Sequence, residues 1–479
     1  MTSKKSIAIA IAIVGVALLV FAAYSSWLGV AYQAAIAIVA MVAVGIVIKR
    51  VLNLHGGFGF YMIGGKRGLG IIDNISKAHP KFWIYMAEWG LTLGTGVLAY
   101  FLMKGRINKK VLVFGIVSAV LFLVYVLPYS SIGLSFINVQ QLQNEVVARS
   151  QQAPSYLYSY IILAVLIIAG FSGYVVGVII YSAGLILARL ASILYSASIG
   201  AHATQGFQNL ISALPIIPGI DLPLIAGIAS LAILLIIHEF SHGILARIFK
   251  VKLRSIGMLL FGIIPVGAFV EPDEKMVKRL DSKKQTGVYV AGVSANFIAT
   301  VVFFALLVLV IAIMQHVISY NVVVTATIPG YPASNVIVPG TIIYKWDGHV
   351  VDNISTLESA ASKDKPGSIV SLVTNKGTYS FNAIAGPTNS SRGLIGVSLA
   401  LKPTTSTPIA KTIYFLYMLF ALSMLLNFLV AVVNLLPIPG FDGWQIFNAN
   451  IKSKKVLKVL SAITLIAFVI NFIPLVTFL

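Results

Sequence analysis

Cysteine is absent from all 479 residues, and acidic residues are scarce: 14 Asp and Glu stand against 34 Lys and Arg. The first absence excludes disulfides, thiol catalysis and sulfur-ligated metal sites, so any metal must be held by His, Asp or Glu. The second leaves few enough carboxylates to weigh one by one. Charge of either sign is thin, at 10% of residues where soluble proteins carry about 25%. With 58% hydrophobic residues and a mean hydropathy of +0.96, the chain is a polytopic membrane protein. Its net charge of +20 does not point to nucleic acid. The basic residues are scattered through short loops between apolar runs, the pattern of cytoplasmic loops lying against anionic lipid headgroups.

Apolar stretches near the length needed for about 30 Å of hydrocarbon occur at roughly 6–24, 29–48, 84–103, 111–127, 159–187, 222–248, 286–315, 411–436 and 456–478. They predict about nine helical spans. The first follows Lys4 and Lys5 and has no small-residue cleavage site after it, so it is expected to be a span rather than a removed signal peptide. The run 256–269 is apolar but too short to cross, and Gly257, Gly262, Pro265 and Gly267 oppose a helix. Irregular backbone at membrane depth survives only when buried in protein or lining a wet cavity, which predicts a re-entrant, β-like hairpin. Between 321 and 402 polar residues rise, and β-rich runs at 322–327, 341–344, 368–374 and 378–381 alternate with Pro-Gly, Asp-Gly and Lys-Gly turns. The expected organisation is N-terminal helices of unassigned role (1–200), core helices (201–320), a small β-rich soluble insert (321–402) and a final core helix with one more span (403–479).

Alternation of nine spans places most Lys and Arg on the side of the amino terminus, which is then the cytoplasmic side. The loop with Lys104, Arg106, Lys109 and Lys110 is the exception. Either the charge rule is broken there, or a span before 200 is miscounted.

At the end of the run Leu231–Ile237 stand His238, Glu239, Phe240, Ser241 and His242. HExxH on a helix sets two imidazoles one turn apart on one face, where they can hold a zinc ion, with the Glu beside the water to be activated. Three ionisable groups within five residues of a span are too costly to be idle. Two histidines leave such a site one protein ligand short. Asp442, in the segment Asn434–Gly443 directly after the eighth apolar run, is the strongest carboxylate, because the sixth and eighth runs end on the same side. Pro437 and Pro439 break the helix and Gly440 frees the backbone to bend back. Glu88, inside the third run, and Glu271 and Asp273, after the hairpin, are alternatives. They read more simply as an interfacial acid and as solvated loop residues. His55, His79, His202, His316 and His349 lack partners at ligand spacing and read as structural.

The HExxH at 238–242 followed by Asn434, Pro437, Pro439, Asp442 and Gly443 on a later helix resembles the site-2 protease family of intramembrane zinc metalloproteases. Pro218–Pro223, Pro265–Glu271 and Ala291–Phe297 add to the likeness, which is nearer the eukaryotic and archaeal branch and covers about 215–450. The resemblance implies Zn2+ held by His238, His242 and Asp442, with Glu239 as general base and later proton donor to the leaving amine. It also implies polar helpers at Asn434 and Asn296 that hydrogen-bond substrate backbone or the oxyanion. Such proteases often carry a PDZ domain between core helices, and Pro329–Ser334, Pro339–Ile343 and Asp347-Gly348 look like parts of one.

The expected function is therefore cleavage of membrane-spanning helices in single-span proteins, including ones already trimmed by another protease. Partners are those substrates and membrane lipid. The expected location is the cell membrane of an archaeon-like prokaryote, with the site toward the cytoplasm. Three alternatives are weaker. A membrane protease for lipidated tails wants a glutamate ligand on a late helix, and none is there. An inactive scaffold or chaperone for transmembrane segments has no need of Glu239 between two intact histidines. A transporter lacks the expected repeat.

Overall fold

In the computed structural model, the described residues are 2–24, 30–66, 68–137, 156–199, 222–351, 353–386, 391–404 and 407–474. His202 and the segment from Pro218 to Asp221 lie outside them. Six helices among the described residues are long and apolar enough to cross a membrane: Ala35–Leu52, Lys109–Ser135, Ser159–Ser198, Leu224–Ile248, Ser282–Val317 and Pro408–Val433. The chain is thus a polytopic helical membrane protein, although three of the nine expected runs take another form. The first is a helix, α1 (Thr2–Tyr24), whose shorter apolar stretch is Ser6–Leu18. The ninth is only 17 residues long. The third breaks at Gly96, where a φ of 59° and a close approach to the Ile167 carbonyl interrupt the helix.

Two compact units make up the chain, residues 1–305 with 419–479, and residues 306–418. In the first, α1 pairs with α2 (Val30–Leu52), and a hairpin of β1 (Gly56–Gly57) and β2 (Phe60–Gly65) follows. Next come α3 (Leu69–Ala78), α4 (Pro80–Thr95), α5 (Leu98–Leu102), α6 (Lys109–Leu121), α7 (Ser130–Ser135) and α8 (Tyr156–Ser198), which is kinked at Gly170. The core helices are α9 (Leu224–Ile248) and α11 (Ser282–Val317), with α10 (Glu274–Arg279) between them.

The expected hairpin is present as β3 (Leu253–Phe261) and β4 (Ile264–Pro272), turning at Gly262 with φ of 58°. It is not alone. β2 pairs antiparallel with β3 from Phe60↔Phe261 to Gly65↔Ile256, giving a sheet in the order β1-β2-β3-β4. β3 is therefore covered on both sides, and β4 is an edge strand.

The basic loop that broke the charge rule lies against the start of α11. Lys104 Nζ donates to Ser282 Oγ at 3.0 Å, and Lys283 Nζ donates to the Arg106 carbonyl at 2.7 Å. Loops 104–108 and 281–284 therefore share one side, and the span parity before 200 is corrected accordingly. The miscount lies between residues 108 and 281, where the three expected crossings at 111–127, 159–187 and 222–248 would put the two loops on opposite sides; the break of the run 84–103 at Gly96 does not alter that relation.

The second unit holds the ends of α11 and of α13 (Pro408–Val433), a small pair of strands, β10 (Ile384–Ala385) and β11 (Gly393–Leu394), and a six-stranded sheet in which β12 (Val397–Pro403), β5 (Tyr320–Thr327), β6 (Ile342–Trp346), β8 (Ile369–Thr374) and β9 (Gly377–Asn382) follow in that order, with β7 (His349–Val350) paired to β6. Strands β5, β6, β8 and β9 fall where alternation placed them. The Asp347-Gly348 turn between β6 and β7 has positive φ at both residues, 47° and 79°, the mirror-image turn that suits the twist of paired strands. Val322, Val324, Trp346, Leu357, Val370 and Leu372 are buried together as its core. The added elements are the edge strand β12 and a short helix, α12 (Ile354–Ala361), started by a reciprocal Asn353–Thr356 capping box.

Candidate metal centre

Helical spacing in α9 brings the rings of His238 and His242 to 4.8 Å between centroids. After α13 the chain cannot stay helical, because Pro437 and Pro439 supply no amide hydrogens. A tight loop results, closed by a 2.6 Å hydrogen bond from the Gly443 N–H to the Asn434 carbonyl. Gly443 is required at that closure, since a Cβ there would lie 2.2 Å from the Leu435 carbonyl oxygen. The loop delivers Asp442, first residue of α14 (Asp442–Asn450), to the two histidines.

Three atoms converge. Asp442 Oδ2 lies 3.2 Å from His238 Nε2 and 3.4 Å from His242 Nε2, and the two Nε2 atoms are 3.2 Å apart. His242 Nδ1 is 2.8 Å from the Val288 carbonyl, which can only accept. Nδ1 therefore carries the ring hydrogen, and Nε2 turns a lone pair to the cluster. Asp442 Oδ2 is buried and receives no hydrogen bond. A lone-pair nitrogen facing a buried carboxylate oxygen is a donor set that suits a cation. Four ligands about 2.0–2.1 Å from zinc in a tetrahedron stand about 3.3 Å apart, which is the spacing seen. Among the described residues this is the one group of three His, Asp or Glu side chains arranged to hold a metal ion.

Glu239 is held by the sheet. Its Oε2 accepts the Val270 N–H at 3.1 Å, an amide on the edge of β4 that points away from β3. Asn296 is fully buried on α11, with its amide 3.1 Å from His238 Nδ1. It thus stands behind the ring, on the side away from the ligand cluster. Asn434 is half-buried, and its carbonyl ties down the Asp442 loop.

The other acids are engaged elsewhere. Glu88 is buried in an ion pair with Lys283 at 2.6 Å and accepts the Asn108 N–H at 3.1 Å. Glu271 accepts from Ser255 Oγ at 2.6 Å. Asp273 caps α10 by accepting the Met276 N–H and also pairs with Arg254. Those two contacts, led by the Met276 amide, hold its carboxyl below the usual carboxylate range.

Gly292 is the important residue that motif reading did not single out. A Cβ there would fall 2.4 Å from His242 Nε2 and 2.6 Å from His238 Nε2, so α11 offers the imidazoles a gap one methyl wide. Its place four residues before Asn296, inside the segment already noted at Ala291–Phe297, was the available signal.

Comparison with known proteins agrees with this geometry. Residues 226–477 match the model of peptidase family M50. An uncharacterized protein of Methanocaldococcus jannaschii is 29% identical over 233 residues, which are 48% of this chain and 58% of that protein. The chain thus spans little more than half the length of this relative. The family match takes in both halves of the ligand cluster and more than half of the chain, and on that ground the chain belongs to peptidase family M50, the membrane metalloproteases of the site-2 type.

Proposed function

We propose that the protein is an intramembrane zinc endopeptidase that cleaves membrane-spanning helices of single-span proteins. The observation that carries this reading is the convergence of His238, His242 and Asp442 at 3.2–3.4 Å, with Glu239 anchored on the adjoining strand edge. His238, His242 and Asp442 are the residues that would hold the ion. Bound there, zinc supplies the Lewis acidity that activates water and polarises the scissile carbonyl. Glu239 takes the proton of the attacking water and returns it to the leaving amine. Asn434, half-buried beside the Asp442 loop, donates its amide hydrogens to the substrate backbone.

A transmembrane helix satisfies its own backbone hydrogen bonds, so it must unwind before a carbonyl can be attacked. The open edge of β4 gives the unwound segment a strand to pair with. Because β2 covers the far side of β3, the open edge of the hairpin itself is β4, beside Glu239. In the insert, a groove of about 340 Å³ runs between α12 and the edge strand β12, lined by Leu357, Arg392, Leu394, Val397 and Leu399. It is a PDZ-like groove suited to an extended tail, and it would screen for substrates already trimmed by another protease. We place the protein in a prokaryotic cell membrane, with the site toward the cytoplasm, where the basic loops gather.

The test is cleavage of a reconstituted single-span substrate by wild type and Glu239→Gln, with bound zinc measured in both. The variant should keep its zinc and lose cleavage. Full activity in Glu239→Gln would overturn the mechanism, and a wild type that binds the substrate without cutting it would favour the scaffold reading.

A further inference from the structure

We propose that Asn296 is a positioning residue that fixes the ring tautomer of His238, accepting its Nδ1–H through the side-chain carbonyl. This rests on the reading of His238 as a metal ligand. Histidines that bind a metal through one ring nitrogen almost always donate the other N–H to an acceptor, which sets both tautomer and ring orientation. His242 has that acceptor in the Val288 carbonyl. For His238, the partner of Nδ1 among the described residues is the amide of Asn296 at 3.1 Å.

Oriented with Nδ2 toward the ring, that amide is a donor and requires a lone pair on Nδ1. The ring hydrogen would then sit on Nε2, where it would point at Asp442 Oδ2 and occupy the lone pair a metal needs. The same orientation leaves Asn296 Oδ1 buried without a partner. Turning the amide by 180° exchanges two atoms of nearly equal size. Oδ1 then accepts Nδ1–H, and His238 Nε2 faces the cluster with its lone pair, matching His242. The donating orientation, with its Oδ1 buried and unpartnered, is not favoured by hydrogen-bond count, and a cation on Nε2 opposes it. An asparagine can serve both states, donating when the ring hydrogen is on Nε2 and accepting once Nε2 is a ligand. Leucine can do neither, and an ionised aspartate only accepts.

The experiment is zinc affinity of the full-length protein by chelator competition for wild type, Asn296→Leu, Asn296→Asp and His238→Ala, with thermal unfolding of each metal-free protein as a folding control. Asn296→Leu should bind zinc about 10–100-fold more weakly, as loss of an outer partner of a ligating histidine does. Asn296→Asp should keep wild-type affinity or exceed it. In the zinc-loaded wild type, the His238 ring should show nitrogen chemical shifts of an Nδ1–H, Nε2-bound imidazole. Asn296→Asp binding as weakly as Asn296→Leu, or Asn296→Leu binding as tightly as wild type, would overturn the proposal. Equal zinc affinity in wild type and His238→Ala would instead remove the metal reading on which it stands.

Discussion

Replacing Gly292 by alanine adds one methyl group and no charge, yet it should empty the metal site. The new Cβ would lie 2.4 Å from His242 Nε2 and 2.6 Å from His238 Cε1 and Nε2, where ordinary contact begins at about 3.4 Å. Each ring would have to retreat by close to 1 Å. Neither has room, because His242 is tied through Nδ1 to Val288 and His238 is backed by Asn296. Metal–ligand distances tolerate about 0.2 Å, so a displacement several times larger costs at least one ligand. Loss of an outer-sphere partner alone weakens metal binding about 10–100-fold, and displacing a ligand should exceed that range. The backbone cost is the usual one for overpacking, about 1–3 kcal/mol, so the protein should still fold. The assay is zinc per chain after dialysis against graded chelator, alongside thermal unfolding of the metal-free protein. Wild-type zinc affinity in Gly292→Ala would refute the placement of α11 against the two imidazoles.

Two further outcomes test the surroundings. Lys283→Met leaves Glu88, only 4% exposed, with the Asn108 amide as its remaining partner. Stranding a buried charge costs about 3–5 kcal/mol, and the one-third exposure of Lys283 reduces this to about 1–3 kcal/mol. Denaturant unfolding should show that loss, and adding Glu88→Gln should recover most of it. In the insert, burial pushes the Asp364 carboxyl up, and neighbouring Asp347 adds to the shift, against the hydrogen bond from Trp346 Nε1. A carboxyl raised in the folded state favours folding most where it is protonated. The insert should therefore lose stability as pH rises from the unfolded value near 3.8 through the raised one. Asp364→Asn keeps an acceptor for Trp346 and removes the charge, so its thermal unfolding should be shifted up at pH 7 and little changed near pH 3. A constant shift at both pH values would contradict this.

Legibility in the sequence followed chemical cost. His238, Glu239 and His242 could be read because ionisable groups are expensive in an apolar run, and Asp442 because so few carboxylates compete for the vacant ligand position. The hairpin was legible from Gly257, Gly262, Pro265 and Gly267, residues that refuse a helix. Gly292 was silent because a glycine in a membrane helix is ordinary, and its meaning depends on two rings about 50 residues away. β2 was silent for a similar reason. Its partner β3 lies nearly 200 residues further on, and Phe60–Gly65 carries no alternation strong enough to mark a strand. The break of the run 84–103 at Gly96 was silent too, because a single backbone conformation, set by contact with the Ile167 carbonyl, decides whether a helix continues there.

The N-terminal helices, which resemble no motif and lie outside the family match, are built into the back wall of the centre. Phe297, next to Asn296, sits in a ring of Trp89, Phe122, Phe171 and Phe428, with centroids 6.2–6.5 Å away. Three of those four come from α4, the turn after α6, and α8. Gly90 of α4 approaches Ser294 so closely that a Cβ would lie 2.0 Å from its Oγ. On the other half of the site, Ser172 Oγ donates to the Leu435 carbonyl at 3.2 Å, one residue after Asn434. Apolar contact with lipid cannot hold helices in register, since the tails are as apolar as the side chains, whereas close small-residue packing and interhelical hydrogen bonds can. Both carriers of the site, α11 with Gly292 and Asn296 and the loop that delivers Asp442, are seated on the N-terminal helices by such contacts. Asp442 lies about 200 residues from the two histidines in sequence, and these helices supply a common surface that registers its loop with α11, the helix packed against both imidazoles.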